Sequence, residues 1–182
     1  GLPMDCGVVC QNIGTAVAIY EAARFGKPLI ERVVTVTGRA VKEPKNLLAK
    51  IGTTVSDIVA QCGGLREDTA KVISGGPMMG FALYSLETPI TKGTSGILAL
   101  PAAEVHHADK FGPCIRCGRC IDACPMGLMP SMLSVTAEKG FYEDAKAYNL
   151  FDCFECGSCT YVCPSKRPIV HLVRLAKSQT KP

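Results

Sequence analysis

Cys114, Cys117, Cys120 and Cys124, followed by Pro125, repeat one spacing with Cys153, Cys156, Cys159 and Cys163, followed by Pro164: C-x2-C-x2-C-x3-C-P, twice. Three thiolates three residues apart in a tight loop can take three corners of an iron–sulfur cubane. The fourth corner must come from elsewhere, and in paired runs of this kind the fourth cysteine of each run serves the other cluster. The pattern therefore predicts two 4Fe-4S clusters, one on Cys114, Cys117, Cys120 and Cys163, the other on Cys153, Cys156, Cys159 and Cys124. Gly118 and Gly157, beside the second ligand of each run, relieve crowding in the loop. The proline after each fourth cysteine turns the chain so that its thiolate can point away from its own run.

Other uses of cysteine fit less well. A zinc site usually joins two C-x-x-C pairs across a longer loop, and three thiolates at i, i+3 and i+6 would crowd one tetrahedral ion. A disulfide framework needs an oxidising compartment, yet the opening residues lack the basic and apolar regions of a signal peptide, and the cysteine count, 11, is odd. Cys6, Cys10 and Cys62 lie outside the pattern and read as buried small hydrophobes. His106, His107 and His171 have no vacant cluster corner to fill, and His171 falls in an expected helix.

The formal charge of +4 over 182 residues counts these cysteines as neutral. Two oxidised clusters on eight thiolates add about −4, which brings the total near zero. The basic excess sits beside the cysteines, with 9 basic and 6 acidic groups in residues 111–182 against 11 and 10 in residues 1–110. Arg116, Arg119, Lys166 and Arg167 either offset cluster charge, steer an acidic partner, or are ordinary solvated charges. No basic patch is interleaved with aromatics, so nucleic acid is not an expected partner. No apolar stretch approaches the roughly 18 residues of a membrane span.

Upstream, the pattern is that of a small α+β unit. Residues 12–25 read as a helix capped by Asn12 and ended by Gly26, with Pro28 beyond. The alternating RVVTVTG at 32–38 reads as a strand, Leu47–Ile51 as another, and Thr54 as the cap of a helix through Gln61. KVISGGPMMGFAL reads as strand, glycine turn and strand. Its glycines open no helix, so it reads as a hairpin or turn rather than a nucleotide contact, and its paired methionines read as core. Gly96–Leu100 suggests a further strand, and residues 102–112 a linker. Between the runs, Pro130 starts a helix and Gly140 ends it, with Phe141, Ala145 and Tyr148 on one face of the next. Pro168 opens a last helix, with Ile169, Leu172, Val173 and Ala176 inward and Arg174 and Lys177 toward water.

Read as a whole, the chain resembles the C-terminal part of the C subunit of the Rnf (Rsx) electron transport complex. The likeness lies in GLPMDCGVVCQNIGTAVAIYEA, in ERVVTVTGRAVKEPKNLLAKIGTT with VISGGPMMGFAL, and in the paired cysteine runs that follow them. It implies four parts: the helical end of an upstream flavin-binding domain at 1–29, a soluble-ligand-binding β-grasp domain at 30–101, a linker at 102–112, and a two-cluster ferredoxin-like domain, mainly helical, at 113–182. It also implies a peripheral component on the cytoplasmic side of the bacterial inner membrane, working with the other subunits of a complex that couples electron flow between ferredoxin and NADH to ion transport. FMN would belong to the full-length protein, with Asn12 a remnant of its wall. This fragment is expected to hold neither FMN nor NADH tightly, and no residue of it is assigned a catalytic role. Two other readings remain: an iron–sulfur subunit of a different soluble oxidoreductase or hydrogenase, and a non-redox β-grasp ligand-binding module.

Eight patterned thiolates set a stoichiometry. Anaerobically reconstituted protein should carry about eight iron and eight acid-labile sulfide per chain. Metal and sulfide analysis decides it, since two zinc ions with no sulfide would leave the two-cluster reading without support.

Overall fold

Val34 and Val36 point one way from their strand and Val33 and Thr35 the other, and the two faces meet different surroundings. In the computed structural model, which describes residues 1–105 and 111–181, Val34 and Val36 are fully buried while Val33 is 61% exposed. This strand, β1 (Glu31–Thr37), pairs antiparallel with β2 (Lys45–Lys50), Val34 opposite Leu47 and Val36 opposite Lys45. Its other edge pairs in parallel with β5 (Gly96–Pro101), and β5 pairs antiparallel with β3 (Thr69–Ser74), next to the two-residue β4 (Phe81–Ala82). Among the described residues the sheet order is β2-β1-β5-β3-β4, a mixed sheet of the β-grasp kind. The first helix following β2, Val55–Gln61, has Val55, Ile58 and Val59 buried in one core with Val34, Val36, Val72, Ile97 and Ala99. The Thr54 side chain accepts a hydrogen bond from Asp57 N at 3.2 Å and caps it, as the sequence suggests.

Upstream of the sheet, α1 (Ile13–Phe25) is set by its ends rather than by packing. The Asn12 side chain accepts from Gly14 N at 2.9 Å, and Gly26 closes the helix in the left-handed region. None of its residues is buried, and Ile13, Val17, Ile19 and Phe25 are exposed. Cys6 and Cys10, expected to be buried, are exposed as well, because nothing covers the segment that carries them. Cys62 is buried, and burial pushes its thiol pKa up. With Val55–Gln61 as α2, the remaining helices are α3 (Arg119–Asp122), α4 (Pro130–Glu138), α5 (Tyr142–Lys146), α6 (Ser158–Tyr161) and α7 (Ile169–Gln179).

The chain divides into two compact units, Gly1–Gly75 with Ala82–Ala102, and Gly76–Phe81 with Ala103–Pro182. The second is helical. Leu133 and Ala137 of α4, Ala145 of α5, and Ile169, Val173 and Ala176 of α7 form its core with Leu150. Two expectations fail here. Phe141 is 56% exposed, because Gly140 ends α4 in the left-handed region and α5 starts only at Tyr142, so Phe141 precedes the helix instead of sharing its face. Met78 and Met79 are half exposed in their turn, not core. His106, His107 and most of the second half of the expected linker, residues 106–110, lie outside the described residues. No helix among the described residues is long and apolar enough to cross a membrane.

Where the chain leaves β1, the backbone of its parallel neighbour β5 leaves no room for a side chain at Gly38. Its φ is +113°, and a Cβ there would lie 2.0 Å from the Ala99 carbonyl oxygen. Gly38→Ala is expected to destabilise the sheet unit by about 3 kcal/mol or more, strain and overpacking together. Denaturant unfolding followed by sheet circular dichroism checks it, and an unchanged midpoint would contradict the packing described.

Candidate metal centre

One backbone path is built twice. In each run the residue before the second cysteine is left-handed, Arg116 at φ 56° and Glu155 at φ 63°, although neither is glycine. A left-handed glycine follows, Gly118 or Gly157, and caps a four-residue helix, α3 or α6, which carries Cys120 or Cys159. After the fourth cysteine a third left-handed residue, Gly127 or Lys166, returns its N–H to the Cys124 or Cys163 carbonyl at 3.1 Å. A non-glycine residue in this region costs about 1–2 kcal/mol. Arg116, Glu155 and Lys166 all bear that cost beside cysteines, where a chain wrapped round a compact group must curl tightly.

The loops form two recesses. Cys114, Cys117 and Cys120 line the first together with Cys163, and Cys153, Cys156 and Cys159 line the second together with Cys124. Each run's fourth cysteine thus sits with the other run. Including the mouths open to solvent, the first recess encloses about 1370 Å³ and the second about 400 Å³. The walls differ: Ser131, Ser134, Glu138 and Arg167 stand in the first, and Met126, Leu128, Leu133, Val170 and Val173 in the second.

Burial pushes the thiols of Cys120, Cys153 and Cys159 up, that of Cys159 to about 11. Cys124 adds a smaller push on Cys153 across the exchanged pairing, and Cys114 on Cys120. These thiols need a nearby cation to ionise, and bound iron supplies one. Among the described residues no three Cys, His, Asp or Glu side chains converge on a single-ion site. The thiols instead spread over the wall of each recess, and soft sulfur donors of this number and spread fit a cubane. Arg167, in the wall of the first recess, is 3% exposed, and its Nε is buried without a hydrogen-bond partner among the described residues.

Three residues that the helical pattern assigns to no site support the second recess. Glu155 accepts from Arg174 Nε at 2.7 Å and from Lys177 Nζ at 3.0 Å, and Lys177 also donates to the Cys153 carbonyl. Burial opposes ionisation of Glu155, but these two donors outweigh it and hold the carboxyl below the usual carboxylate range. Arg174 further donates to the Met79 carbonyl at 2.8 Å and lies 4.2 Å from the centre of the Phe81 ring, a cation–π contact. The expectation that Arg174 and Lys177 face water therefore fails. They lie on the flank of α7 that meets the cysteine loop, and their long stems reach an acceptor there. Of the four cations beside the cysteines, Arg116, Arg119 and Lys166 are exposed and Arg167 is buried; His171 is exposed on α7.

Comparison with known proteins finds two domains, the first of which takes in the Gly76–Phe81 turn of the second unit. Residues 33–82 match the SLBB domain, and residues 113–166 match the 4Fe-4S dicluster domain. Over all 182 residues the chain is 56% identical to the C subunit of the proton-translocating ferredoxin:NAD(+) oxidoreductase complex of Clostridium ljungdahlii, of which it covers 40%. It is 48% identical over 178 residues to the C subunit of the ion-translocating oxidoreductase complex of Rhodobacter capsulatus, covering 34% of it. Against the C subunit of the Na(+)-translocating ferredoxin:NAD(+) oxidoreductase complex of Acetobacterium woodii the identity is 42% over 178 residues, covering 40% of that protein. The chain spans two fifths or less of the length of these relatives.

The duplicated glycines are not equivalent. A Cβ on Gly118 would meet nothing within 4 Å, whereas one on Gly157 would lie 2.9 Å from both the Cβ and the carbonyl oxygen of Met78. Gly118→Ala should lose about 1–2 kcal/mol from backbone strain alone. Gly157→Ala should lose clearly more, by displacing the turn at Gly76–Phe81 as well. Thermal unfolding of the two reconstituted variants side by side tests this, and equal losses would show that the Met78 contact carries no weight.

Proposed function

We propose that this chain, which joins an SLBB domain to a 4Fe-4S dicluster domain as a C-terminal portion of the C-subunit family of ion-translocating oxidoreductase complexes, carries electrons one at a time within such a complex. The observation that carries the reading is the exchange of Cys124 and Cys163 between two four-thiol recesses. Cys114, Cys117, Cys120 and Cys163 would hold one 4Fe-4S cluster, and Cys153, Cys156, Cys159 and Cys124 the other. Bound there, each cluster supplies a site that takes up one electron and gives it up again.

The protein's own part is to position and insulate. Leu133, Val170 and Val173 keep water from the second recess, and the Glu155 clamp from Arg174 and Lys177 fixes the loop between Cys153 and Cys156. No bond to a substrate has to be made or broken here, so no side chain is needed as acid, base or nucleophile. The names of the relatives support a wider reading, in which the full-length protein is a peripheral subunit on the cytoplasmic side of the membrane and passes electrons between ferredoxin and NAD while its partners move ions. In that reading FMN belongs to the upstream part of the full-length protein. The exposed apolar residues of α1 support residues 1–29 as the end of that part, with the β-grasp domain at 30–101, the linker at 102–112 and the cluster domain at 113–182.

The test uses the full-length protein in its membrane. Cys124→Ala should damage the cluster of the second run and Cys163→Ala that of the first, read by electron paramagnetic resonance once the two signals are assigned, in a protein that copurifies with membrane subunits. If each variant disturbed only its own run's cluster, the exchange would be rejected. A protein that never copurified with membrane subunits would sink the role in a complex.

A further inference from the structure

The two recesses share a backbone but differ at several matched wall positions, among them Arg116 of the first against Glu155 of the second, and one position that is buried in both. Arg167 lies four residues after Cys163, and Leu128 lies four residues after Cys124. Each is buried, at 3% and 7% exposure, and each lines the recess that its half of the chain completes, Arg167 the first and Leu128 the second. A guanidinium therefore stands in one site where the other has a hydrocarbon.

The surroundings of Arg167 leave part of its hydrogen-bonding capacity unused. Its two terminal nitrogens are engaged, one donating to the Gly112 carbonyl at 3.4 Å and the other to the Glu138 carboxylate, and the group lies 5.2 Å from the centre of the Phe111 ring. Nε is buried and donates to nothing among the described residues.

We propose that Arg167 is a positioning residue that sets the first cluster site at a higher reduction potential than the second. This rests on the two-cluster reading above. Taking up one electron adds one negative charge to a site, and a fixed cation in its wall stabilises the reduced state more than the oxidised one. Leu128 offers the second site neither charge nor donor. Glu138 offsets only part of the effect, since its side chain is 40% exposed and solvent partly screens its charge. The cations near the second recess do not match Arg167 either. Arg174 and Lys177 are spent on Glu155 and on backbone carbonyls, and neither lines the recess. The wider, polar first recess acts in the same direction, because water also stabilises added charge.

The test is a reductive titration of the anaerobically reconstituted chain, with dithionite as reductant and electron paramagnetic resonance as readout. The signals are assigned with the Cys124→Ala and Cys163→Ala variants. The first site should fill first. Arg167→Leu, which copies the second site, should lower the first site's electron affinity about tenfold, or about 59 mV for a one-electron couple, and leave the second unmoved. Arg167→Lys should keep part of the difference, because it retains charge but not the planar donor. Should Arg167→Leu fail to assemble, Glu138→Gln serves instead: it leaves Arg167 in place, removes the opposing charge, and should raise the first site's affinity. Equal shifts at both sites, or none at the first in whichever variant assembles, overturn the assignment of Arg167. An unaltered chain that never shows two reducible clusters overturns the two-cluster reading itself.

Discussion

Each recess takes its fourth thiol from the other half of the chain, and the helical unit depends on that exchange. Cys124 cannot reach Cys153, Cys156 and Cys159 unless the segment between the runs folds back, and α4 and α5 with Leu150 are that fold-back. Its apolar side chains are few: Leu133, Ala137, Ala145 and Leu150 meet Ile169, Val173 and Ala176 in a core too small to hold a unit of this size firmly alone. Binding at either recess fixes residues from both runs at once, so the free energy of binding is also free energy of folding. Burial raises the pKa of several of these thiols, Cys159 above all, so ligand binding that ionises them would add to this coupling.

The duplication is strict where geometry rules and loose where chemistry can vary. Arg116 and Glu155 share a left-handed conformation that favours neither, and after the fourth cysteine Gly127 and Lys166 share one that suits only the glycine. A loop that must present three sulfurs to one compact body has little conformational choice, so unlike residues adopt like backbone. Side chains at those positions point to different neighbours. Glu155 is drawn to Arg174 and Lys177, while Arg116 is exposed. At Leu128 and Arg167 the same freedom puts unlike chemistry on matched walls.

Much of this was legible in the sequence, because some signals are local. Asn12, Gly26 and Thr54 act within one helical turn of themselves, and all three do in the structure what their residue types favour. The cysteine spacing is also local, and each recess is lined by three cysteines of one run and the fourth of the other. Signals that depend on a distant neighbour were not legible. A helical pattern places Arg174 and Lys177 off the apolar face of α7, but it cannot show that a carboxylate between two cysteines waits beside that flank. The methionines of the glycine turn looked like core by composition alone; their place follows from the contact of Met78 with Gly157, which no spacing encodes. Cys6 and Cys10 looked buried by residue type, and they are exposed because burial belongs to surroundings rather than to the residue.

Charge balance over the whole chain conceals a distribution that matters more. A net +4 offset by about −4 from two clusters leaves near neutrality, which would suit a carrier that must release its partner. Within the helical unit, however, the cations are used in three ways. Arg116, Arg119 and Lys166 are exposed and act through a screened field that a charged partner would feel on approach. Arg174 and Lys177 are tied to Glu155 and stiffen a loop. Arg167 alone of the six is almost fully buried in a recess wall, where a charge is least screened and most felt by whatever occupies the site. Two sites with one backbone and unequal charge will not hold an electron equally well, and an unequal pair gives an electron a preferred direction within a single small unit.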